Sequence, residues 1–479
     1  MSVKAVRLFV SSPGDVCAER TIADRVIRKL QKEYQGSLNL IPVLWEDLPL
    51  TAHGTFQEEI NAALAEAPVD IAIFILGGRL GSSPGKNFLR PDGTPYASGT
   101  EYEFDLMMGS YRRLGRPEIL VYRKKVSPAQ MLATDAGIAD VSEAVRQMQD
   151  LENFVEERFH DKEKGAYIAY HRVDDALTFE NRLTEHLRGL LSKVNSAGRR
   201  KLWQGNPYKG LLSFEQEDEA IFFGRSNALN QLEKPLWDQL ARNEMPLVFV
   251  CGGSGSGKSS LVKAGLVPDL VKSSVLQKTK VCPRIVTPQQ WKGSLCDGLW
   301  GELRQMFLRL PAMPSPANAD FVGAVADLMR MASDLQIKEN TIRTVPLIVI
   351  DQFEETFTDS RRTQEDVRGF ALLLQAVRRS GRVIVAATLR NDFYHYLTDR
   401  EEWLELRQAA LVWDIPRMSA SEFAQVITEP AAMAGFEWER DGQTGKPLNE
   451  VILDDAIRMG LTLPLLEFAL TALVITDLL

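Results

Sequence analysis

Short apolar runs separated by turn residues and by stretches of helical spacing recur along the chain, the pattern of strands alternating with helices. Val6–Val10 is followed by Ser11-Ser12-Pro13-Gly14-Asp15 and then by helical spacing from Cys17 to Gln31, so the opening reads strand, turn, helix. Leu38–Leu44 predicts a second strand, Val69–Leu76 a third and Glu118–Tyr122 a fourth. The third is almost continuously apolar, as expected of a strand covered by helices on both faces. It ends in the loop Gly77-Gly78-Arg79-Leu80-Gly81-Ser82.

A second series of strands starts at Leu247-Val248-Phe249-Val250, continues with Val345–Ile350 and Arg382–Ala387, and gives way beyond Met418 to mainly helical spacing. Between the two series, Asn195-Ser196-Ala197-Gly198-Arg199-Arg200 and Gly205-Asn206-Pro207 carry no apolar period and read as a linker. The expected organisation is therefore an α/β domain with a helical extension over 1–192, a linker over 193–205, a second α/β domain over 206–417 and a helical lid over 418–479. Pro311–Pro316 reads as a local loop, and no internal repeat is visible.

The length of 479 residues with 45% hydrophobic positions suits several packed domains and excludes a small stapled or wholly disordered chain. Lys plus Arg number 56 and Asp plus Glu 64, a formal charge of −8, so a broad nucleic-acid-binding surface is not expected. Cys17, Cys251, Cys282 and Cys296 form no CxxC pair, which argues for reduced thiols over a disulfide framework or structural zinc. His53, His160, His171, His186 and His395 are widely separated and show no metal-ligand spacing. With no apolar stretch near the 18 to 20 residues of a membrane span and no signal-peptide pattern, a soluble cytoplasmic protein is expected.

The sharpest chemical signal is Gly252-Gly253-Ser254-Gly255-Ser256-Gly257-Lys258-Ser259, which fits GxxxxGK[ST] directly after an apolar strand and before a helical run from Ser260 to Gly265. Glycines let consecutive N–H groups curl around a phosphate, and the helix N-terminus adds partial positive charge. Lys258 supplies a cation for the terminal phosphates, and the Ser259 hydroxyl suits Mg²⁺. The bland reading is a glycine-rich structural turn. Against it stands Val345–Ile350 ending in Asp351, the Walker B pattern, which places an acid opposite Ser259 for the metal. Glu354 and Glu355 follow, and either would polarise an attacking water. Arg390, after the strand Val383–Ala387, would reach a γ-phosphate and report hydrolysis, although alone it reads as a solvated charge.

Together with Asn206-Pro207-Tyr208-Lys209-Gly210-Leu211, Phe214 and Phe222-Phe223-Gly224-Arg225, these motifs resemble the novel STAND NTPases, signal-transduction ATPases, over roughly Asn206 to Leu470. The resemblance implies ATP or ADP with Mg²⁺ in the P-loop Gly252–Ser260, Arg225 near the adenine and ribose edge, and Pro464 of Gly460–Leu465 approaching the base. It further implies a compact ADP state and self-association once ATP and a trigger are present. Related chains continue past Leu465–Phe468 into a winged helix and sensing repeats. A sequence stopping at Leu479 predicts a minimal or truncated member, or a sensor or effector supplied by another polypeptide.

Phe9–Val16, Trp45-Glu46 and the strand ending at Gly77 resemble TIR-like domains of unknown function found ahead of STAND modules, over a stretch from roughly Val3 to between Lys125 and His186, which implies a flavodoxin-like parallel sheet. Ser98–Phe104 is similar to the stretch carrying the TIR catalytic glutamate, which implies that Glu103 binds the nicotinamide-ribose hydroxyls of NAD and stabilises an oxocarbenium-like transition state. Glu101 lies two residues away, and TIR-like scaffolds keep acids here too. Asp47, Glu58 and Glu59 read as solvated acids, Lys162–Lys164 as surface, and Arg199-Arg200-Lys201 as a charged linker in preference to a nucleic-acid or membrane contact. The expected function is an ATP-dependent STAND switch with a TIR-like effector or adaptor, by resemblance set in bacterial stress or antiviral defence. The alternatives are a nucleotide-binding scaffold with negligible turnover and an ATP-gated NAD glycohydrolase.

Overall fold

The computed structural model describes residues 3–44, 56–85, 87–127, 141–161, 166–167, 170–195, 202–242, 244–272, 279–306, 316, 321–338, 343–440, 442 and 445–475. Trp45, Glu46, Asp47, His53, Lys162–Lys164, Arg199–Lys201 and the loop at Pro311–Ser315 lie outside the described residues, as does the Glu59 side chain. The chain divides into two compact units, Met1–Lys201 and Leu202–Leu479. Each has its own core.

In the first unit β1 (Lys4–Ser11), β2 (Leu38–Val43), β3 (Ile71–Leu76) and β4 (Glu118–Lys124) are joined by two short strands, β5 (His160–Asp161) and β6 (Ala166–Tyr167), that pair with each other, and by β7 (His171–Val173). The main sheet has the order β2-β1-β3-β4-β7 with every pairing parallel, the flavodoxin-like order. Strand alternation divides its side chains between two cores. Ile71, Ile73 and Ile75 face the helices Cys17–Glu33 and Ala176–Val194, the latter contributing Phe179, Leu183, Leu187 and Leu191 at four-residue spacing. Ala72, Phe74 and Leu76 face the other side, where helices Phe56–Glu66, Gly99–Leu114 and Val141–Phe159 supply Ile60, Phe104, Met107, Leu151 and Phe154. His171 and His186, fifteen residues apart in the chain, meet with ring centroids 4.2 Å apart beside Tyr122, whose hydroxyl lies 2.8 Å from His186 Nδ1.

The second unit repeats the logic. β8 (Leu247–Gly252), β9 (Thr279–Val286), β10 (Arg343–Ile350), β11 (Ile384–Arg390) and β12 (Leu411–Asp414) form a parallel sheet in the order β12-β8-β11-β10-β9. Leu247, Phe249 and Cys251 enter one core while Val248 and Val250 enter the other. Helices Ala420–Ala434, Leu448–Met459 and Leu463–Ile475 close over a separate small core with Tyr208, whose hydroxyl donates to the Ile427 carbonyl.

Three local features differ from expectation. The strand expected to stop at Ala387 runs on to Arg390, because it pairs with β8 as far as Arg390 opposite Gly252. The helix after the P-loop contains a π segment, Leu261–Leu266, between α segments Lys258–Ser260 and Val267–Lys272. β9 and β12 are the two edge strands, and β9 carries Lys280, Pro283 and Arg284, which hide it from an apolar-run reading. Among the described residues no helix is long and apolar enough to cross a membrane, and all four cysteines are free thiols.

Candidate functional site

The wholly buried strand β8 delivers the chain to Gly252 at the C-terminal edge of the sheet. The loop that follows turns through Gly255 at φ 70° and Gly257 at φ 85°, conformations that L side chains resist. Its helix starts at Lys258. The Lys258 ammonium folds back to donate to the Gly252 and Gly253 carbonyls at 3.0 and 2.8 Å, shaping the loop into a closed turn with the cation at its centre. Burial pushes its pKa down and the Arg390 charge adds to this, while Glu354 and Asp351 oppose it.

Asp351, at the end of β10, is 1% exposed. Its Oδ1 accepts from Ser259 Oγ and Thr388 Oγ1, each at 2.7 Å, and its Oδ2 faces Lys263 Nζ at 3.0 Å. Burial alone would raise this carboxyl; the two hydroxyls and the lysine outweigh it and hold the pKa below the ordinary value. Gln352, next in the chain, stands at φ 56°, an uncommon backbone for a non-glycine residue, and donates its N–H to Thr388 Oγ1 at 2.9 Å. That tight turn leads into the helix Glu355–Thr358, with Glu354 already helical, so the two neighbouring glutamates diverge by about 100°. Glu354 turns toward the loop, its Oε2 3.4 Å from the Arg390 backbone N–H and its charge acting on Lys258. Glu355 accepts from the Gln289 backbone N–H at 2.9 Å, away from the loop, and burial raises its pKa.

Arg390 lies at the end of β11, the strand between β8 and β10. Its guanidinium pairs with Asp392 at 2.6 Å and lies over the Phe393 ring at 5.4 Å, while its buried Nε has no hydrogen-bond partner. The partner Asp392 is mostly exposed, so that pair is weak.

Beside the loop is a cavity of about 210 Å³ whose polar wall is Gly255, Gly257, Lys258, Ser259 and Ser260 and whose apolar wall includes Leu463 and Pro464. Arg225 braces the loop, donating to the Ser256 carbonyl at 2.6 Å and the Pro416 carbonyl at 3.0 Å; burial pushes its pKa down to about 10. Its Nε is buried without a partner. Pro464 sits so close to the loop that a Cβ on Gly255 would come within 3.0 Å of its Cγ. Glu467, one turn further on, accepts from the Lys209 backbone N–H at 3.1 Å and is pushed up to about 7 by burial. Gly224 is at φ 74°, and a Cβ there would lie 2.5 Å from the Glu422 carbonyl oxygen. Gly224→Ala is therefore expected to cost about 2 kcal/mol or more of stability by forcing helix Ala420–Ala434 off this segment. A thermal melt checks it, and an unchanged Tm would show that the helix yields freely.

The residues fit a magnesium nucleotide. Ser259 and Asp351 offer hard oxygen donors in contact with each other, the donor type Mg²⁺ takes. An orphaned guanidinium N–H of Arg225 and a cation at Lys258 border a cavity polar at one end and apolar at the other.

Residues 207–476 match the family described as Novel STAND NTPase 1. The chain belongs to that family. Comparison with curated proteins gives no significant match. Among solved structures, the Aeropyrum pernix ORC1 protein in complex with DNA is similar at 17% identity and TM-score 0.36, covering 53% of this chain and 61% of that one. The chain thus spans about three-fifths of the length of that relative. Domain III of the Thermotoga maritima replication initiation protein DnaA is similar at 13% identity and TM-score 0.31, covering 53% and 84%. The Walker-type ATPase of Pyrococcus abyssi is similar at 12% identity and TM-score 0.35, covering 55% and 70%. Likenesses this distant say nothing about what this STAND protein binds.

The STAND match leaves out the first unit, where a second group of side chains gathers. Glu103 is buried on helix Gly99–Leu114, accepting from Ser11 Oγ at 2.6 Å and Gln57 Nε2 at 3.2 Å; burial pushes its pKa up to about 7. It borders a cavity of about 510 Å³ with Ser12, Arg79 and Ser82. That cavity lies beyond the carboxyl ends of β1 and β3, the point where this strand order reverses direction. Glu101 points elsewhere and pairs with Arg90 at 2.7 Å and Arg158 at 3.4 Å. Glu58 is exposed.

Three participants escaped the sequence reading. Thr388 was visible only as part of a strand end, and Glu467 only as a member of an apolar helix. Lys263 carried a readable signal: it is the lone charge among buried Leu261, Val262, Ala264, Gly265 and Leu266, one helical turn beyond Ser259.

Proposed function

We propose that the second unit binds and hydrolyses ATP with Mg²⁺ and acts as the switch of a STAND signalling protein. The observation that carries this is the contact of Ser259 with Asp351 beside a P-loop whose lysine is already centred on the loop. In this reading Lys258 exchanges its two carbonyls for the terminal phosphates, and the loop N–H groups from Gly252 to Ser260 cradle them. Ser259 and Asp351 hold Mg²⁺, which supplies positive charge against the phosphate oxygens. Arg225 holds the loop at its sugar side and Pro464 covers the base. Glu354 orients the attacking water; Glu355, bound to Gln289, does not. Arg390 leaves its weak partner Asp392 to read the γ-phosphate.

Self-association in the ATP state, a TIR-like effector or adaptor role for the first unit and a place in bacterial defence complete the proposal; the STAND family membership supports the first of these, and the flavodoxin-like strand order of the first unit supports the second. The test is to identify the nucleotide carried by the purified protein and to follow phosphate release in Mg²⁺. Bound nucleotide with release supports the switch. Bound nucleotide without release favours a scaffold, and no nucleotide at millimolar ATP overturns the reading.

A second reading, NAD cleavage by the first unit, is favoured by the buried Glu103 carboxyl at the edge of the switch-point cavity. The ionised carboxylate would stabilise positive charge developing on the ribose. Since burial places the Glu103 pKa at about 7, the rate is expected to climb as pH rises through about 7. Full-length protein with ATP and Mg²⁺ should release nicotinamide, Glu103→Gln should abolish this, and Glu101→Gln should not. Absence of nicotinamide from assembled wild-type protein favours the adaptor role.

A further inference from the structure

The Asp351 carboxylate has no unused oxygen. Ser259 and Thr388 occupy Oδ1, and the Lys263 ammonium, 3.0 Å from Oδ2, neutralises the charge. The same ammonium reaches Glu215 Oε1 at 3.1 Å and Ser213 Oγ at 3.4 Å. Ser213 and Glu215 flank Phe214, whose backbone N–H donates to Ser260 Oγ at 3.1 Å, and both Ser213 and Phe214 border the nucleotide cavity. One lysine therefore links the proposed metal carboxylate to the wall of the cavity. A lysine has three donors and one charge to divide among these acceptors. A divalent cation shared between Ser259 and Asp351 would stand beside that ammonium, and two like charges on one carboxylate repel.

We propose that Lys263 is an internal counter-cation that competes with Mg²⁺ for Asp351, and that metal loading shifts it onto Glu215 and Ser213. This rests on the magnesium-nucleotide reading of the same site. Lys263 is a positioning residue: its ammonium contacts Asp351, Glu215 and Ser213, and it acts through Asp351 by setting the metal concentration at which the site fills. Because the exchange moves the ammonium toward segment 213–215, filling of the metal site tightens the cavity wall beside Phe214.

The experiment uses the full chain and Mg²⁺ as the probe. Retention of a fluorescent ATP analogue is titrated with Mg²⁺, and thermal melting is followed with Mg²⁺ and without nucleotide. Lys263→Met is expected to lower the Mg²⁺ midpoint about tenfold, because the competing charge is gone. It should also melt earlier than wild type without metal, from an uncompensated buried Asp351, and recover more than wild type when Mg²⁺ is added. Glu215→Gln removes the charge of the alternative partner and should raise the Mg²⁺ midpoint about threefold. These opposite shifts are the signature of competition, and a purely structural lysine would produce neither. An unchanged midpoint in both variants, with analogue binding intact, overturns the role of Lys263 alone. If Lys263→Met does not fold, the direction of the Glu215→Gln shift decides. Failure of wild type to retain the analogue at any Mg²⁺ concentration overturns the underlying nucleotide reading instead.

Discussion

Lys258→Ala is expected to weaken ATP binding by about 100-fold or more while leaving the melting temperature nearly unchanged. The two halves of this expectation have different causes. The ammonium is held by two carbonyls of its own loop, Gly252 and Gly253, and is itself depressed in pKa by burial, so the folded protein gains little from keeping it charged there. A charged hydrogen bond to a phosphate is worth about 3 kcal/mol, which is about 100-fold in affinity. Calorimetric titration of both proteins with ATP and Mg²⁺ measures the first half, and a melt without nucleotide the second. Affinities within threefold of each other would remove Lys258 from the phosphate site; a collapsed melt would make it a structural lysine.

The parts of this site that could be read in the sequence are those whose determinants are local. The P-loop is eight consecutive residues, and the strand before it is announced by four apolar ones. The sheet of the first unit was legible where strands are buried on both faces, as in Ile71–Leu76, and the second unit's edge strand β9 was not, because its exposed positions Lys280 and Arg284 carry charge and the half-buried Pro283 interrupts it. Contacts between distant segments leave no local trace: Lys263 and Asp351 are 88 residues apart, and nothing near either names the other. The two ambiguous pairs of acids show the difference well. Glu101 and Glu103 share a helix, where a separation of two residues turns side chains about 200° apart, so at most one can face a given cavity. That much is in the sequence, and only the choice of Glu103 needed the fold. For Glu354 and Glu355 the helical backbone sets the two side chains about 100° apart, but which of them faces the loop depends on how the turn at Gln352, with φ 56°, aims that helix.

That turn makes the separation of the two glutamates the most informative kinetic test. Glu354→Gln is expected to slow ATP hydrolysis at least about 100-fold, the lower end of what a positioned proton acceptor contributes, while ATP affinity stays within a few-fold of wild type. The carboxylate sits where its charge already acts on Lys258 and its oxygen approaches the Arg390 backbone, so it is on the phosphate side of the turn. Glutamine keeps the length and a hydrogen-bonding oxygen, and removes the basicity together with the charge. Glu355→Gln should leave the chemical step nearly untouched, because the oxygen bound to the Gln289 N–H survives in the amide and the residue points away from the loop. Its raised pKa means that the folded state favours the protonated form, so this burial disfavours the fold as pH rises from the unfolded value through the folded one. The neutral amide should therefore gain stability relative to wild type on the alkaline side of that window. Single-turnover phosphate release from preformed ATP complexes isolates the chemical step from binding. A slow Glu355→Gln with a normal Glu354→Gln would reverse the assignment, and two normal variants would place the water-orienting group on another residue or on a neighbouring copy of the chain.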